Sequence, residues 1–188
     1  MLVLASASPR RQELLRNAGI EFLVHPANVV EIPRDGEAPR AFAERMAREK
    51  ALAVLALRPN DLVLGADTVV VVDGEILGKP RDAADATRML RLLSGRKHEV
   101  ITAVCVAGPK LKTEITGSEA TVVVMNALSD DDIRDYVASG EPMDKAGAYA
   151  IQGRASRWIS RVEGDYFNVV GLPVARVQRI LEEVRGKT

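Results

Sequence analysis

A single segment of the chain, residues 62–77, restricts the fold most strongly. Its first eleven residues are almost entirely apolar and rich in valine, and the dipeptide Asp73-Gly74 separates them from a second, shorter apolar run. Valine favours the pleated surface of a strand, and Asp-Gly between two such runs is a strong signal for a two-residue hairpin turn. We therefore expect a strand over Leu62–Val72 that turns back into a second strand over Glu75–Gly78.

Further strands and several helices are predicted on both sides of this hairpin. Serine, aspartate and proline mark helix starts, and glycine marks helix ends. The helices are predicted over residues 8–17, 39–57, 82–94, 129–139 and 173–184, and the other strands over residues 2–5, 100–106, 114–124 and 158–162. Because strands and helices mix without strict alternation, the pattern favours an α/β fold with a mixed sheet over a purely parallel, doubly wound one.

The composition argues against several classes of protein. The 188 residues carry 26 Lys+Arg against 26 Asp+Glu, with 4% aromatic residues, one cysteine and two histidines. Balanced charge and few aromatic side chains argue against a nucleic-acid-binding protein. A single cysteine allows no intrachain disulfide, and so few Cys and His argue against a soft-metal centre. Without a signal-peptide pattern or an apolar stretch of the ~20 residues that span a bilayer, we expect a cytoplasmic protein with no membrane partner.

The first candidate site lies at the start of the first predicted helix. The motif Ser6-Ala7-Ser8-Pro9-Arg10-Arg11 places two arginines where the helix dipole disfavours cations. An anion held there by backbone amides, the Ser8 hydroxyl and the guanidinium groups of Arg10 and Arg11 would relieve this mismatch, and phosphate matches these donors best. The alternative is two solvated arginines, at a cost of roughly a few tenths of a kcal/mol.

The second candidate is Lys50, in the long helix predicted over residues 39–57. At about 100° per residue, the apolar side chains of this helix form one arc, and its members are Phe42, Ala43, Met46, Ala47, Ala53, Val54 and Leu57. Lys50 falls in the middle of the arc. A lysine there is unfavourable unless its ammonium meets an anion or reaches past the helix edge to water. The central position favours an inward-facing ammonium that lines a cleft.

The third candidate is Asp67, which interrupts the apolar strand. A buried carboxylate needs a partner cation or metal; the alternative is a carboxylate satisfied by backbone amides at a β-bulge, which Gly65 would favour. The hairpin register pairs Thr68 with Lys79, so Asp67 and Lys79 would lie on opposite faces of the ladder unless a bulge shifts it. A solvated lysine at the end of a strand is the alternative for Lys79.

The fourth candidate is the segment of residues 140–153, which contains three glycines, a charged pair, a tyrosine and Gln152. It is either a binding loop or an ordinary long surface loop. The Gln152 amide both donates and accepts hydrogen bonds, as reading a base edge requires. Residues 168–173 are predicted to begin the last helix, and the plain alternative to a site there is a turn and a helix start. Four further residues are expected to be structural or surface residues: His25, His98, Cys105 and Trp158.

Together these motifs resemble the Maf family of nucleoside triphosphate pyrophosphatases. The matching segments occur in family order over nearly the whole chain, and they are residues 6–11, 49–51, 65–70, 78–80, 140–153 and 168–173. The resemblance implies one domain over residues 1–188, with an elongated mixed sheet flanked by helices and two lobes around a cleft, similar to inosine triphosphate pyrophosphatases. It also implies hydrolysis of a nucleoside triphosphate to the monophosphate and pyrophosphate, with a divalent cation, Mg²⁺ or Mn²⁺.

The resemblance further implies roles for individual residues. Asp67 matches the catalytic acidic position, and it is also the expected metal ligand together with Glu31. The positions that bind or neutralise phosphates are matched by Ser8, Arg10, Arg11, Lys50 and Lys79. Arg10, Thr68 and Gln152 resemble the subgroup that prefers dTTP and UTP, whereas the group that prefers 7-methyl-GTP tends to carry tryptophan at the position of Arg10.

An alternative function remains open on the sequence alone. A non-catalytic nucleotide sensor that regulates cell division would need the phosphate contacts but not Asp67. The residues also leave open whether the pyrimidine nucleotide is canonical or modified, which metal is used, and whether the protein is a monomer or a homodimer.

Overall fold

The computed structural model describes residues 1–186, which form two compact units. The first unit comprises residues 1–67, residues 102–119 and the segment from residue 171 to the end of the described chain. The second unit comprises residues 68–101 and 120–170. Neither unit is one continuous stretch of sequence.

A seven-stranded sheet is formed within residues 1–186. Its strands are β1 (Leu2–Leu4), β2 (Leu23–Val24), β3 (Leu62–Val72), β4 (Glu75–Leu77), β5 (Lys97–Ala107), β6 (Ile115–Met125) and β7 (Ile159–Glu163). The strand order is β2-β1-β3-β5-β6-β7, and β4 pairs with β3. Strand β1 is parallel to β2 and β3, whereas β4 pairs antiparallel with β3 and β7 with β6. The predicted mixed sheet is therefore confirmed.

Six α-helices lie within residues 1–186: α1 (Pro9–Asn17), α2 (Pro39–Leu57), α3 (Ala83–Leu93), α4 (Asp130–Ala138), α5 (Tyr166–Val170) and α6 (Val174–Gly186). The predicted caps form as expected, because Ser8, Asp82 and Ser129 each accept a hydrogen bond from the backbone N–H three residues later. None of the helices in the described part of the chain has both the length and the apolarity needed to cross a membrane.

The hairpin of β3 and β4 has the predicted register at its turn. Val72 pairs with Glu75, and the ladder ends at Leu77. The two turn residues have φ angles of 49° and 80°, in the left-handed region that aspartate and glycine tolerate best. The predicted pairing of Thr68 with Lys79 lies beyond the end of β4, so the hairpin does not hold Lys79 in a ladder.

Two elements, strand β2 and helix α5, are not predicted from the sequence. Strand β2 has only two residues, both exposed, so no apolar alternation marks it. The turn predicted within residues 168–173 is present, but the last helix begins only at Val174. Asn168 instead belongs to the short helix α5, and the chain turns at Gly171, whose φ of 131° favours glycine, before α6 begins.

The second unit contains a buried histidine–tyrosine pair. Nε2 of His98 lies 2.7 Å from the hydroxyl of Tyr149, and the two rings meet edge to face. No hydrogen-bond partner for Nδ1 of His98 is found among residues 1–186. Burial lowers the pKa of His98 to about 4, because the charged imidazolium loses its hydration. The folded protein therefore holds His98 in its neutral form near neutral pH.

We expect this histidine to lower the stability of the protein in acid. The imidazole of an unfolded chain gains a proton below about pH 6.5, whereas folded His98 stays neutral down to about pH 4. Because the unfolded state binds the extra proton, the free energy of unfolding falls as the pH decreases through this window, by about 3 kcal/mol at most. Urea unfolding of the wild type and of His98→Gln at neutral and acidic pH measures the effect. An equal acid-induced loss in both proteins would contradict it.

Candidate active site

Helix α2 and strand β3 approach each other closely at Gly65. A Cβ atom on Gly65 would lie 2.1 Å from the carbonyl oxygen of Ala47 and 2.7 Å from the nitrogen of Ala51, both backbone atoms. The missing side chain therefore permits the helix to lie against the strand, which accounts for this glycine without a β-bulge. The close approach brings Lys50 of α2 to Asp67, two residues beyond Gly65 on β3.

Lys50 joins two carboxylates. Its Nζ lies 2.6 Å from Oδ1 of Asp67 and 2.8 Å from Oε1 of Glu31. The side chains of Lys50 and Asp67 are 9% and 7% exposed, whereas that of Glu31 is 44% exposed. The inward-facing ammonium predicted from the apolar arc is confirmed, and the partner of the buried Asp67 carboxylate is a cation. Removing Lys50 would leave the buried Asp67 carboxylate without its ion-pair partner.

The environment of Asp67 favours proton uptake. Burial raises the pKa of this carboxyl above its usual value, while the Lys50 ammonium and the Arg11 guanidinium oppose the rise. A carboxylate with a raised pKa is a better proton acceptor than a solvated one. Perturbed carboxyl groups with a specific charge partner are concentrated at functional sites, so Asp67 is the best candidate for a general base in the first unit.

The start of α1 is held by hydrogen bonds around Arg11. Oγ of Ser8 accepts from the backbone N–H of Arg11 at 3.4 Å. The Arg11 guanidinium donates from Nε to the carbonyl of Gly171 at 2.9 Å. From Nη1 it donates to the carbonyl of Ala66 at 3.0 Å and to Oγ of Ser6 at 3.1 Å. Arg11 thus ties α1 to strand β3 and to the turn before α6, a positioning role that the sequence does not predict.

Two members of this network, Ser6 and Gly171, were not among the predicted site residues. Both lie within motifs identified in the sequence. The hydrogen bond between Arg11 and Gly171, however, joins residues 160 positions apart, and a local sequence pattern does not predict a contact over that separation. Burial lowers the pKa of Arg11, against the opposing charges of Asp67 and Glu31. Its guanidinium nonetheless stays protonated, as arginine does throughout the accessible pH range.

The structure brings together part of the predicted site in the first unit: Ser8, Arg11, Glu31, Lys50 and Asp67. Arg10 is half-buried in the first turn of α1. Three predicted residues belong to the second unit. There Thr68 is half-buried in β3, Lys79 is exposed after β4, and Gln152 is exposed.

The donor set of the first unit fits one kind of metal site. Within residues 1–186 no group of three or more His, Cys, Asp or Glu side chains is placed to hold a metal ion. Mg²⁺, however, is commonly bound through one or two carboxylates together with substrate phosphates and water. Asp67 and Glu31 supply two carboxylates that meet at Nζ of Lys50. They therefore fit a hard divalent cation that a triphosphate helps to bind.

The loop of residues 140–153 is held in shape by Glu141. The hydroxyl of Tyr136 donates to Oε1 of Glu141 at 2.8 Å, and the backbone N–H of Arg154 donates to the same oxygen at 3.0 Å. One carboxylate at the start of the loop therefore binds the residue just after its end. Gln152 is carried in this closed loop, exposed to solvent.

Comparison with known proteins places the whole chain in one family. The family model for Maf-like protein matches residues 1–184. The chain belongs to the Maf-like protein family. Among relatives of this Maf-like chain, the dTTP/UTP pyrophosphatase of Koribacter versatilis is 58% identical over 180 residues, covering 96% of this chain and 92% of the relative. The dTTP/UTP pyrophosphatase of Geobacter sulfurreducens is 52% identical over 183 residues, covering 97% and 96%.

A solved structure also aligns with this Maf-like chain. The Staphylococcus aureus Ham1 protein matches over 97% of this chain and 98% of that protein, with 15% sequence identity and a TM-score of 0.49.

Proposed function

We propose that this Maf-like protein is a nucleoside triphosphate pyrophosphatase that hydrolyses dTTP and UTP to the monophosphate and pyrophosphate. Relatives 52–58% identical over most of the chain carry the name dTTP/UTP pyrophosphatase. The structural observation that carries the proposal is the buried Lys50–Asp67 pair with Glu31 beside it. A sensor that only binds nucleotide has no need of a buried carboxylate with a raised pKa.

The first unit supplies the groups that a triphosphate requires. A nucleoside triphosphate carries about four negative charges, which cationic side chains and helix N-terminal amides stabilise. Arg10 and Ser8 stand at the start of α1, where such amides are found. In the second unit, the resemblance assigns phosphate binding to Lys79 and base preference to Thr68 and Gln152, and we retain those assignments as part of the proposal.

Asp67 and Glu31 would hold the divalent cation, Mg²⁺ or Mn²⁺. When bound, the cation neutralises phosphate charge and polarises the phosphoryl oxygen. Lys50 links the same two carboxylates in the structure, so it keeps them together. Arg11 contributes a fixed positive charge close to Asp67 while its hydrogen bonds position the start of α1.

In the reaction, the Asp67 carboxylate accepts a proton from the attacking water. The water oxygen forms a bond to the α-phosphorus, and the bond from the α-phosphorus to the oxygen bridging to the β-phosphorus breaks. The electron pair of that bond leaves with pyrophosphate, whose growing charge the neighbouring cations stabilise. Burial of Asp67 strengthens it as a base, and Lys50 at 2.6 Å fixes the position of its carboxylate.

Pyrophosphate release from a panel of triphosphates in the presence of Mg²⁺ tests the proposal. We expect kcat/KM for dTTP and UTP to exceed that for 7-methyl-GTP by about tenfold or more, a difference within the reach of base-edge contacts. The Asp67→Asn protein provides the background rate. Faster turnover of the methylated purine would contradict the assignment of Arg10, Thr68 and Gln152 to pyrimidine preference. No product from any triphosphate would favour a non-catalytic sensor.

A further inference from the structure

The loop that carries Glu31 contains no regular secondary structure. Residues 25–38, the β2–α2 loop, join strand β2 to helix α2 without a helix or a strand, and residues 31–36 are all exposed. The loop nevertheless places Oε1 of Glu31 2.8 Å from Nζ of Lys50. Because ordering a loop costs conformational entropy, other contacts must hold it in this shape.

Arg45 of helix α2 binds the β2–α2 loop at two points. Its Nε lies 2.6 Å from Oε1 of Glu37, and its Nη2 lies 2.7 Å from Oε2 of the same carboxylate. Nη2 also donates to the carbonyl of Ile32 at 3.0 Å, and Ile32 directly follows Glu31. A bidentate arginine–carboxylate pair fixes orientation as well as distance. Arg45 therefore attaches the residue next to Glu31 to the helix that carries Lys50.

Glu37 extends this attachment into the loop. Its Oε2 accepts from the backbone N–H of Arg34 at 2.9 Å, and its own backbone N–H donates to the carbonyl of Arg34 at 3.0 Å. The side chains of Arg45 and Glu37 are only 17% and 11% exposed. The hydrogen bond from Arg45 lowers the pKa of Glu37 to about 2, so the pair stays ionised at neutral pH.

Arg45 is itself held on helix α2. Its Nη1 lies 3.1 Å from Oε1 of Glu49, one turn further along the helix, and its guanidinium carbon lies 5.4 Å from the centre of the Phe42 ring. Lys50 of the same helix binds the side chain of Glu31. Helix α2 thus holds Glu31 both by its carboxylate and by the backbone that follows it.

We propose that Arg45 is a positioning residue that places the Glu31 carboxylate for the divalent cation. This role rests on the proposed function, in which Glu31 and Asp67 hold that cation. Arg45 acts on Glu31 through Ile32 and Glu37, and its guanidinium is bound by the loop and by its own helix. Groups that orient metal ligands in this way typically contribute about 10- to 100-fold to metal affinity.

Binding of Mn²⁺, followed by the electron paramagnetic resonance signal of the free ion, tests this role directly. An α,β-methylene analogue of UTP is present, because phosphates help to bind the cation and this linkage is not hydrolysed; the ion bound by the analogue alone is subtracted. We expect Arg45→Met to raise the Mn²⁺ dissociation constant by about tenfold or more. An unchanged constant in a variant that is folded by circular dichroism would overturn the proposal, as would a wild type that binds no Mn²⁺.

Arg48→Met is the matched control. Arg48 lies on the same helix and forms an ion pair with Glu114, which is outside the β2–α2 loop. Because exposed ion pairs contribute little, the Mn²⁺ dissociation constant of Arg48→Met should stay within about threefold of the wild-type value. A loss as large as that of Arg45→Met would show that any weakening of α2 lowers cation binding, which would overturn a specific role for Arg45.

The Mg²⁺ dependence of pyrophosphate release separates positioning from general damage to the fold. We expect Arg45→Met to need about tenfold more Mg²⁺ for half-maximal release from dTTP. Its kcat at saturating Mg²⁺ should be within about threefold of the wild type, because Lys50 and Asp67 keep their contact. A loss of kcat that saturating Mg²⁺ does not restore would contradict the positioning role.

Glu37→Gln keeps the proposal testable if Arg45→Met does not fold. The amide retains the size of the side chain and one hydrogen-bond acceptor, but it loses the charge and the bidentate geometry. We expect it to raise the Mn²⁺ dissociation constant by about threefold or more, since bonds to charged groups are the stronger ones. Wild-type affinity in the folded Glu37→Gln protein would overturn the proposal.

The positioning role and the proposed function can fail separately. If the wild type hydrolyses dTTP and Arg45→Met keeps the wild-type Mn²⁺ affinity and Mg²⁺ dependence, only the role of Arg45 is overturned. If the wild type releases no pyrophosphate from any triphosphate, the proposed function is overturned, and the Mn²⁺ comparison still decides whether Arg45 places Glu31 for a cation.

Discussion

Asp67→Asn is expected to lower kcat for dTTP and UTP hydrolysis by about 10²–10⁴-fold, the range that general acid–base catalysis contributes. The amide keeps the size of the carboxylate but cannot accept the proton of the attacking water. Lys50 retains Glu31 at 2.8 Å, so the buried ammonium keeps one anionic partner and the variant is expected to fold. Pyrophosphate release measures the loss, and calorimetric titration with dTTP checks that nucleotide binding largely survives.

The matched control for this variant is Asp61→Asn. Asp61 forms surface ion pairs with Arg58 and the N-terminal amine, and it takes no part in the cluster around Lys50. Asp61→Asn should therefore hydrolyse dTTP at close to the wild-type rate. If Asp67→Asn also released pyrophosphate at a near-normal rate, Asp67 would be neither the base nor an essential metal ligand.

The second large effect concerns stability. Gly65→Ala is expected to lower the free energy of unfolding by about 3 kcal/mol or more, because overpacking costs about 1–3 kcal/mol even where side chains can adjust. Here the new Cβ meets backbone atoms of Ala47 and Ala51, which cannot rotate away, so helix α2 itself must shift. The shift would also move Lys50 relative to Asp67, and we expect pyrophosphatase activity to fall with stability.

Gly78→Ala is the matched control for the steric argument. A Cβ on Gly78 would have no atom within 4 Å, and the residue does not need a positive φ. Its unfolding free energy should stay within about 0.5 kcal/mol of the wild type. Urea unfolding of the three proteins makes the comparison. Equal stability of Gly65→Ala and Gly78→Ala would show that α2 can move away from β3 at little cost.

Local signals predict much of this fold. The apolar run before the Asp-Gly turn is strand β3 with the bounds expected, and the helix bounds predicted from Pro39 are those of α2. These predictions succeed because helix caps, turns and hydrophobic periodicity depend on only a few neighbouring residues. Lys50 is the clearest site residue for the same reason: its position within an apolar arc already indicates burial and a need for an anion.

What local signals do not predict is which distant groups meet. The sequence indicates that Lys50 needs an anion and that Asp67 needs a cation, yet it does not show that these two side chains form an ion pair with each other. The reason lies in Gly65, whose missing side chain sets the distance between helix and strand. Likewise, no local sequence pattern predicts that Arg11 donates a hydrogen bond to the carbonyl of Gly171. Contacts of this kind arise from packing between segments, which a one-dimensional pattern does not contain.

The carboxylate of Glu141 affects how the second unit would bind a nucleotide. By accepting from Tyr136 and from the backbone of Arg154, it closes the loop that carries Gln152 while the protein folds. The conformational entropy of ordering that loop is therefore lost before any ligand arrives. A pre-organised loop backbone binds without a further ordering cost, so under the proposed function Gln152 would be presented to the base by a backbone that is already ordered.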